Sequence, residues 1–572
     1  MNVALPISLV KPYAKNPKNA HCPNYRALLP IWCLLIFLCV RFFLFGGLCR
    51  ARRAVLDRLG SITMDQMKKK LMPLINMRPD MSIDASASYK VTDGGTLNLL
   101  SRSCGEYNIN QLGLQKKSSA GGDDKDDKER TYQCASNEMC VFGAIGWGAS
   151  SVVRKAIHIP THRILALKKI NVFEKEKRQQ LLNEIRTLCE APMAKGLVEF
   201  YGAFYSPDSG QISIALEYMD GGSLADIVRN KKFIPEPILS VITRKVLQGL
   251  QFLHGVRHLV HRDIKPANLL INLIGEPKIT DFGISAGLDN SIAMCATFVG
   301  TVTYMSPERI NNECYSYPAD IWSLGLALLE CGTGEFPYNA SKGPVNLMLQ
   351  VMYDPSPAPP ADRFSCEFRS FVEACLRKDA DTRPTAEQLL QHPFIKKYEN
   401  ADVDLAGFVH SVFDPTERLK DLSDMLTVHY YMLFDGPDSL WHHMKTFYRQ
   451  NSTFSFANQT VCGLDQVFTT LTDIRNMLAG ERAEERLVHV VENLQCCAYS
   501  KRGIVIRVSG AFVLGSHFIP TSDGIQVEGL LASPSLDVQR RQMGTFSEQF
   551  VMEPAEQQGS FFISKQELYI QQ

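Results

Sequence analysis

The sequence of 572 residues contains 16 cysteines, yet no two of them have Cys-x-x-Cys spacing. The thiols are instead scattered through segments with helical and strand patterns. That distribution is typical of reduced cysteines in a cytosolic or nuclear protein and not of a disulfide framework.

The chain also lacks an excess of charge, because 61 Lys and Arg residues face 60 Asp and Glu residues. Residues 1–63 hold nine basic side chains against Asp57 alone, a balance of +8, so the rest of the chain sums to −7. A folded part without a basic excess does not favour nucleic acid as a partner. The hydrophobic share of 45% and the length predict two or three ordinary globular domains.

Residues 27–48 form an apolar run of membrane-spanning length. Arg41 lies inside the run and would cost about 2.5–3.5 kcal/mol near the centre of a membrane helix. Three interpretations stay open: a membrane anchor, a cleaved targeting peptide, or upstream sequence added by a gene model ahead of a natural start at Met64. The third explains the local charge imbalance best, so membrane anchoring is not favoured.

Residues 64–137 show little periodicity, and the polar, charged segment 118–129 has the composition of a disordered linker. The sequence therefore predicts a disordered N-terminal region that ends at residue 137.

A catalytic-loop pattern begins at His261, where the chain reads His-Arg-Asp-Ile-Lys-Pro-Ala-Asn. Asp281-Phe282-Gly283 and Ser306-Pro307-Glu308 follow in the order and spacing of protein kinases. In such a loop Asp263 accepts the proton of the substrate hydroxyl, and Lys265 supports the transferring phosphoryl group. Asn268 and Asp281 then hold Mg²⁺.

A glycine-rich turn upstream predicts the cover of an ATP site. Gly146 and Gly148 would let backbone amides approach the phosphates closely. Ser151 replaces the third glycine of the kinase pattern, and the bulky Trp147 is expected to point outward from the loop.

Kinase order assigns further positions around the nucleotide. Lys168 would contact the α- and β-phosphates and pair with Glu184, which has apolar neighbours at helical spacing. Leu216 takes the gatekeeper position. The remaining predicted ATP contacts are Ile145, Val153, Ala166, Glu217, Met219 and Leu270. Asp320 is expected to brace the catalytic loop, and Arg383 to pair with Glu308.

Residues 138–395 resemble MAP kinase kinases in segments 265–272, 283–285 and 300–308. Five residues separate Ser291 from Thr297, the spacing of plant members of that family. The resemblance implies a dual-specificity enzyme that transfers the γ-phosphoryl group of ATP to Thr and Tyr in the activation loop of a MAP kinase. It also implies activation by an upstream MAP kinase kinase kinase at Ser291 and Thr297.

The basic and apolar segment 68–75 resembles a docking segment for a MAP kinase, although a solvated basic segment explains it equally well.

Residues 417–572 follow a linker at 396–416 and turn from helical to strand periodicity. This order resembles a nuclear-transport-factor-2-like domain, and such a tail after the kinase is similar to plant group B MAP kinase kinases. The predicted fold is thus α+β, a bilobal protein kinase followed by an α+β cone-shaped domain. Some folds of this type are isomerases, for which Asp424 and Asp435 are candidate acids, but exposed structural carboxylates are the simpler interpretation.

We therefore expect a MAP kinase kinase whose tail binds a protein partner or dimerises, in the cytoplasm and the nucleus. The alternative is a catalytically weak scaffold acting through the C-terminal domain, and Trp147 is its only support.

Overall fold

A computed structural model of the chain describes the following residues: 88–92, 95–101, 105–117, 130–148, 151–171, 185, 188–189, 194–281, 303–311, 313, 316–413, 415–479, 487–499, 503–514, 520–521, 524–526, 542–557 and 559–571. None of the helices formed by these residues is long and apolar enough to cross a membrane. The predictions for residues 1–63, for the docking segment at 68–75 and for the linker at 118–129 lie outside the described residues.

A five-stranded antiparallel sheet precedes the kinase motifs, with its strands in chain order. The strands are β1 (Ser88–Val91), β2 (Leu97–Ser101), β3 (Gly105–Asn110), β4 (Gly113–Lys117) and β5 (Arg130–Gln133). Leu97, Leu99, Tyr107 and Ile109 are fully buried, and they alternate along β2 and β3 as the inward faces of two strands. The disorder predicted for 64–137 is therefore wrong for these strands, because their alternating apolar residues join the kinase core.

Five antiparallel strands form the sheet of the first kinase lobe, in the order β6-β7-β8-β10-β9. They are β6 (Met139–Trp147), β7 (Ser151–His158), β8 (Arg163–Asn171), β9 (Phe200–Ser206) and β10 (Gln211–Glu217). We call this part the N-terminal lobe, and the segment 217–222 that leaves β10 the hinge.

The second lobe is helical and carries one small hairpin, β11 (Leu269–Ile271) with β12 (Pro277–Ile279). Its helices are α1 (Leu224–Lys231), α2 (Glu236–Gln251), α3 (Pro307–Ile310), α4 (Pro318–Thr333), α5 (Pro344–Tyr353), α6 (Cys366–Cys375), α7 (Ala386–Leu390), α8 (Pro393–Lys397) and α9 (Leu405–Val412). Helix α4 is buried along nearly its whole length. It ends where Gly334 adopts φ +87°, a conformation that glycine tolerates best. Helix α9 lies within the predicted linker, and its Leu405 and Val409 are buried in the kinase core.

The C-terminal region opens with the long helix α10 (Pro415–Asp435), which confirms the predicted helical start. The short α11 (Asp438–Trp441) and the longer α12 (Leu464–Met477) follow. Six strands form one sheet in the order β14-β13-β20-β19-β16-β15. They are β13 (Thr453–Phe456), β14 (Gln459–Cys462), β15 (Leu487–Tyr499), β16 (Gly503–Leu514), β19 (Gln542–Pro554) and β20 (Phe561–Gln571). Strands β19 and β20 pair antiparallel and form the last hairpin of the described chain.

Two further short strands extend the edge of the N-terminal lobe sheet. Strand β17 (Pro520–Thr521) pairs with β18 (Gly524–Gln526), and β18 runs parallel to β6.

The C-terminal region shares a hydrophobic core with the N-terminal lobe. Cys140, Ile157, Ile159 and Ile164 of the lobe belong to the same buried cluster as the aromatic side chains of α10 and the C-terminal sheet. The sequence suggested a separate module, whereas the structure joins the two by apolar packing. Apolar packing is non-directional, so the sequence pattern of each strand does not show which other surface the strand packs against.

Candidate active site

The catalytic loop holds its predicted base in a small hydrogen-bonded network. Lys265 Nζ donates to Asp263 Oδ2 over 2.7 Å, and Asn268 Nδ2 donates to the same oxygen and to the backbone oxygen of Asp263, each over 2.8 Å. The ion pair and the amide fix the Asp263 carboxylate, which remains about two-fifths exposed. A fixed, accessible carboxylate is suited to receive a proton from a substrate hydroxyl.

Asp320 braces this loop from the buried start of helix α4. Its Oδ2 accepts the backbone N–H of His261 and its Oδ1 that of Arg262, each over 2.7 Å. His254 Nε2 lies 2.9 Å from Oδ2. Burial alone would raise the pKa of Asp320, but the hydrogen bond and the charge of His254 lower it below its usual range. The predicted brace is confirmed.

His261 also orients the loop, a role that the sequence analysis did not assign. The backbone N–H of Asp263 donates to His261 Nδ1 over 3.2 Å, so the ring is protonated at Nε2 and donates to the backbone oxygen of Thr280 over 3.0 Å. The ring thereby joins the base to the segment that carries Asp281.

The lower lobe contains a second predicted pair. Arg383 and Glu308 form two parallel hydrogen bonds of 2.7 Å, and both side chains are buried. The pairing is confirmed, and its geometry is the bidentate fork that arginine provides.

Lys168 and Asp281 meet across the cleft between the lobes. Lys168 Nζ donates to Asp281 Oδ1 over 2.9 Å. Burial would raise the pKa of Asp281, but the charge of Lys168 and their hydrogen bond lower it below its ordinary value, so the carboxylate is ionised. Asp281 also has φ +62°, which is unusual for a residue with a side chain and typical of strained functional positions.

Strand register brings the predicted ATP contacts together. Gly146 pairs with Val153, and Val153 pairs with Lys168 on the next strand. Ala166 lies opposite Leu216, which is buried. These positions line neighbouring strands above the hinge.

The glycine-rich turn closes through one hydrogen bond, from Gly148 N–H to the backbone oxygen of Ser151 over 2.8 Å. A Cβ at Gly148 would lie 2.7 Å from Ser151 Oγ, so a larger residue there would displace the Ser151 side chain. Trp147 is 77% exposed, as predicted for an outward side chain. The neighbouring Ile145 is also exposed.

The hinge residues have different surroundings. Lys278 Nζ donates to both carboxylate oxygens of Glu217, over 2.7 and 2.8 Å. The Glu217 carboxylate is therefore engaged by Lys278, which leaves its backbone for contact with an adenine. Met219 is buried, and Leu270 on β11 is half-buried.

Three predicted residues, Glu184, Ser291 and Thr297, lie outside the described residues. Their roles remain predictions.

The two candidate acids of the C-terminal region differ in burial. Asp435, expected to be exposed, is buried and accepts from the backbone N–H of His489, with its other oxygen 2.8 Å from His489 Nδ1. Asp424 is half-buried, and that burial raises its pKa. Asp435 is buried because it lies at the end of α10, where β15 covers it.

A third acid, Glu548, was not found from the sequence. It is buried among Tyr431 and Gln566, which donate to its two oxygens over 2.6 Å each. Burial raises the pKa of Glu548.

Comparisons with known proteins agree with this geometry. The protein kinase domain family matches residues 140–395, and the lobes, hinge and catalytic loop described above define a protein kinase. Mitogen-activated protein kinase kinase 3 of Arabidopsis thaliana is 65% identical over 89% of this chain and 99% of its own length. The chain belongs to the MAP kinase kinases.

Other relatives carry the same name. Mitogen-activated protein kinase kinase SIPKK of Nicotiana tabacum is 41% identical over 62% of this chain and 100% of its own length. The dual specificity mitogen-activated protein kinase kinase dSOR1 of Drosophila melanogaster is 40% identical over 50% of this chain and 78% of its own length. The enzyme is thus an ATP-dependent protein kinase of dual specificity, which confirms the predicted function.

Proposed function

We propose that this MAP kinase kinase acts through Asp263 as the base, with Lys265 and Asn268 as its immediate supports. The observation that carries the proposal is the network in which both supports donate to the same carboxylate oxygen of Asp263. The second oxygen is then free to accept the hydroxyl proton of Thr or Tyr in the activation loop of a MAP kinase.

The donor set suits ATP with Mg²⁺. Asp281 is ionised, and Asn268 commits its amide nitrogen to Asp263, which leaves its amide oxygen as the ligand atom. Oxygen donors of this kind are those that Mg²⁺ prefers. When bound, the ion neutralises charge on the phosphate oxygens.

The nucleotide contacts follow the predicted positions. Lys168 would clamp the α- and β-phosphates with support from Glu184, and Gly146, Gly148 and Ser151 would cover them. Around the adenine we assign the side chains and backbone of Ile145, Val153, Ala166, Leu216, Glu217, Met219 and Leu270.

Substitution of the clamp and of the base tests these roles. Lys168→Met and Asp263→Asn should each lower kcat at least about a hundredfold on a purified MAP kinase, because each removes an interaction required for transfer. Exposed Lys420→Ala on helix α10 is the control. Activity near that of the unsubstituted enzyme in either mutant would refute the assignment.

Activation by an upstream MAP kinase kinase kinase is assigned to Ser291 and Thr297. Phosphate at both positions would add charge and acceptor oxygens that order the loop through basic side chains. Glu at both should raise basal activity, and Ala at both should leave the enzyme unresponsive to its activator. Equal activity of the double-Ala and unsubstituted proteins after activator treatment would remove these residues from the mechanism.

The C-terminal region is proposed as a nuclear-transport-factor-2-like domain, which would place the enzyme in plant group B. Its helices and its six-stranded sheet support that assignment. We propose that it binds a protein partner or dimerises, and that the enzyme works in the cytoplasm and the nucleus. Sedimentation of the purified full chain over a range of concentrations separates a dimer from a monomer that needs another partner.

A further inference from the structure

Helix α10 of the C-terminal region lies along the hinge and the N-terminal lobe, and three of its polar side chains contact them. Arg418 Nη1 donates to the backbone oxygen of Asp220 in the hinge. Asp421 accepts from Lys155 Nζ on β7. Farther along, His429 Nε2 lies 2.8 Å from His162 Nδ1, in the turn between β7 and β8. One face of the helix therefore contacts three successive parts of the kinase.

Asp220 of the hinge connects helix α10 with the β11–β12 hairpin, which carries the predicted nucleotide contact Leu270. The carboxylate of Asp220 accepts the backbone N–H of Leu273 over 2.7 Å, just after β11. Arg418 itself stacks on Phe413, with its guanidinium carbon 3.6 Å from the ring centre. Asp220 is therefore held from both sides, by the tail and by the hairpin that carries Leu270.

The residue before Met219 is held by the same helix. Tyr218 packs against the C-terminal core, and Lys155 Nζ lies 5.3 Å from the centre of its ring. Since Asp421 binds that lysine, the charge of α10 fixes the cation over Tyr218. Met219, whose backbone is predicted to contact adenine, thus lies between two residues that α10 holds.

We infer that Arg418 and Asp421 are positioning residues for the kinase reaction. By fixing Tyr218 and Asp220, they set the backbone of the hinge that receives the nucleotide. The shared core with Ile157, Ile159 and Ile164 makes this a permanent brace and not a removable lid. The C-terminal region is then part of the enzyme as well as a binding module.

The brace is tested in the activated full-length chain by measuring KM for ATP and kcat separately. Arg418→Ala should raise KM for ATP about fivefold or more while kcat changes less, because it disturbs nucleotide binding and leaves the base intact. Arg418→Lys keeps the charge and should recover part of the affinity. Lys420→Ala, exposed on the same helix, is the matched control. A KM in Arg418→Ala equal to that of the control would overturn the inference.

A charge exchange provides a second, independent arm. Lys155→Asp and Asp421→Lys should each raise KM for ATP. The double mutant should return only part of the way toward the unsubstituted value, because the ion pair between β7 and α10 is restored with reversed polarity while the cation over Tyr218 is lost. Circular dichroism establishes that each protein is folded. A folded double mutant as impaired as the single mutants would show that this pairing does not position the hinge. If Arg418→Ala does not fold, the charge exchange between Lys155 and Asp421 tests the inference by itself.

Discussion

His162 of the N-terminal lobe and His429 of helix α10 share a 2.8 Å hydrogen bond between two fully buried imidazole rings. His162 also stacks on Phe447, with ring centres 3.7 Å apart and planes 7° from parallel, and its Nε2 lies 2.6 Å from Thr446 Oγ1. The Thr446 hydroxyl lies 2.7 Å from the backbone oxygen of His443, to which it donates. It therefore accepts from His162 Nε2–H, which leaves His162 Nδ1 to accept from His429.

This arrangement requires the His162 ring to be neutral, because its Nδ1 accepts a hydrogen bond. Burial lowers the pKa of His429 to about 3 and that of His162 well below its usual value. The other titratable and charged groups facing the pair are His158, His443 and Arg449, with Glu138 beside His158. The charge of Arg449 and the neighbouring histidines further oppose protonation of His162.

We predict that stability of the joined lobe and C-terminal region falls as pH falls below about 6.5. Below that pH the unfolded form binds protons that the folded form does not. Each histidine then lowers the free energy of unfolding with a slope that approaches about 1.4 kcal/mol per pH unit as its unfolded form becomes fully protonated. Chemical unfolding measured between pH 8 and 5.5 gives the slope of the free energy of unfolding against pH. His429→Gln should reduce it, while the exposed His410→Gln should not. Identical slopes in all three proteins would contradict the prediction.

Asp320→Asn should impair catalysis without altering any residue that contacts substrate. The amide offers one oxygen to the two loop N–H groups that the carboxylate accepts, so one of them is left unpaired at a cost of about 1–3 kcal/mol. We expect kcat to fall at least about tenfold as the loop loses its geometry. Kinetics and thermal unfolding, with exposed Asp402→Asn as control, check this. Unchanged kcat in a folded mutant would remove Asp320 from the support of the base.

Arg383→Met should destabilise the protein by about 3–5 kcal/mol, because it leaves the buried Glu308 carboxylate without its partner. The exposed pair Lys396–Glu399 offers an internal comparison, and Lys396→Met should cost less than about 1 kcal/mol. Urea unfolding of both mutants measures the difference. Similar costs would mean that burial does not set the strength of the Arg383 pair.

Truncation after residue 400 should lower stability and activity together. It exposes Ile157, Ile159 and Ile164, each worth about 1.5–3 kcal/mol when fully buried. If the kinase domain were an independent module, the chain ending at residue 400 would instead keep its activity. Comparison of truncated and full chains in unfolding and kinase assays separates the two. A truncated protein of equal stability would show that the shared core contributes little.

Sequence reasoning found the residues whose relationships are local or follow a fixed order. Asp263, Lys265 and Asn268 lie within six residues of one another, so the motif itself carries the geometry. The alternation of Leu97 with Leu99 and of Tyr107 with Ile109 was also present, but each run was too short to stand out from the polar residues around it.

The contacts between α10 and the kinase could not be predicted in this way. His162 and His429 are 267 residues apart, and neither sits in a pattern that distinguishes it from a surface histidine. The same holds for Lys155 and Asp421, whose pairing depends on how the shared apolar core positions helix α10 against the N-terminal lobe. Long-range docking of this kind is decided by packing, which no single-segment periodicity records.

The exposed indole of Trp147 gives the glycine-rich turn an optical signal of its own. The other two tryptophans in the described residues, Trp322 and Trp441, are buried, so their emission is shielded from solvent. A nucleotide analogue that binds beneath the turn should therefore change the long-wavelength part of the fluorescence. The side chain that departs most from the kinase pattern thereby reports, without any added label, on occupation of the site beneath it.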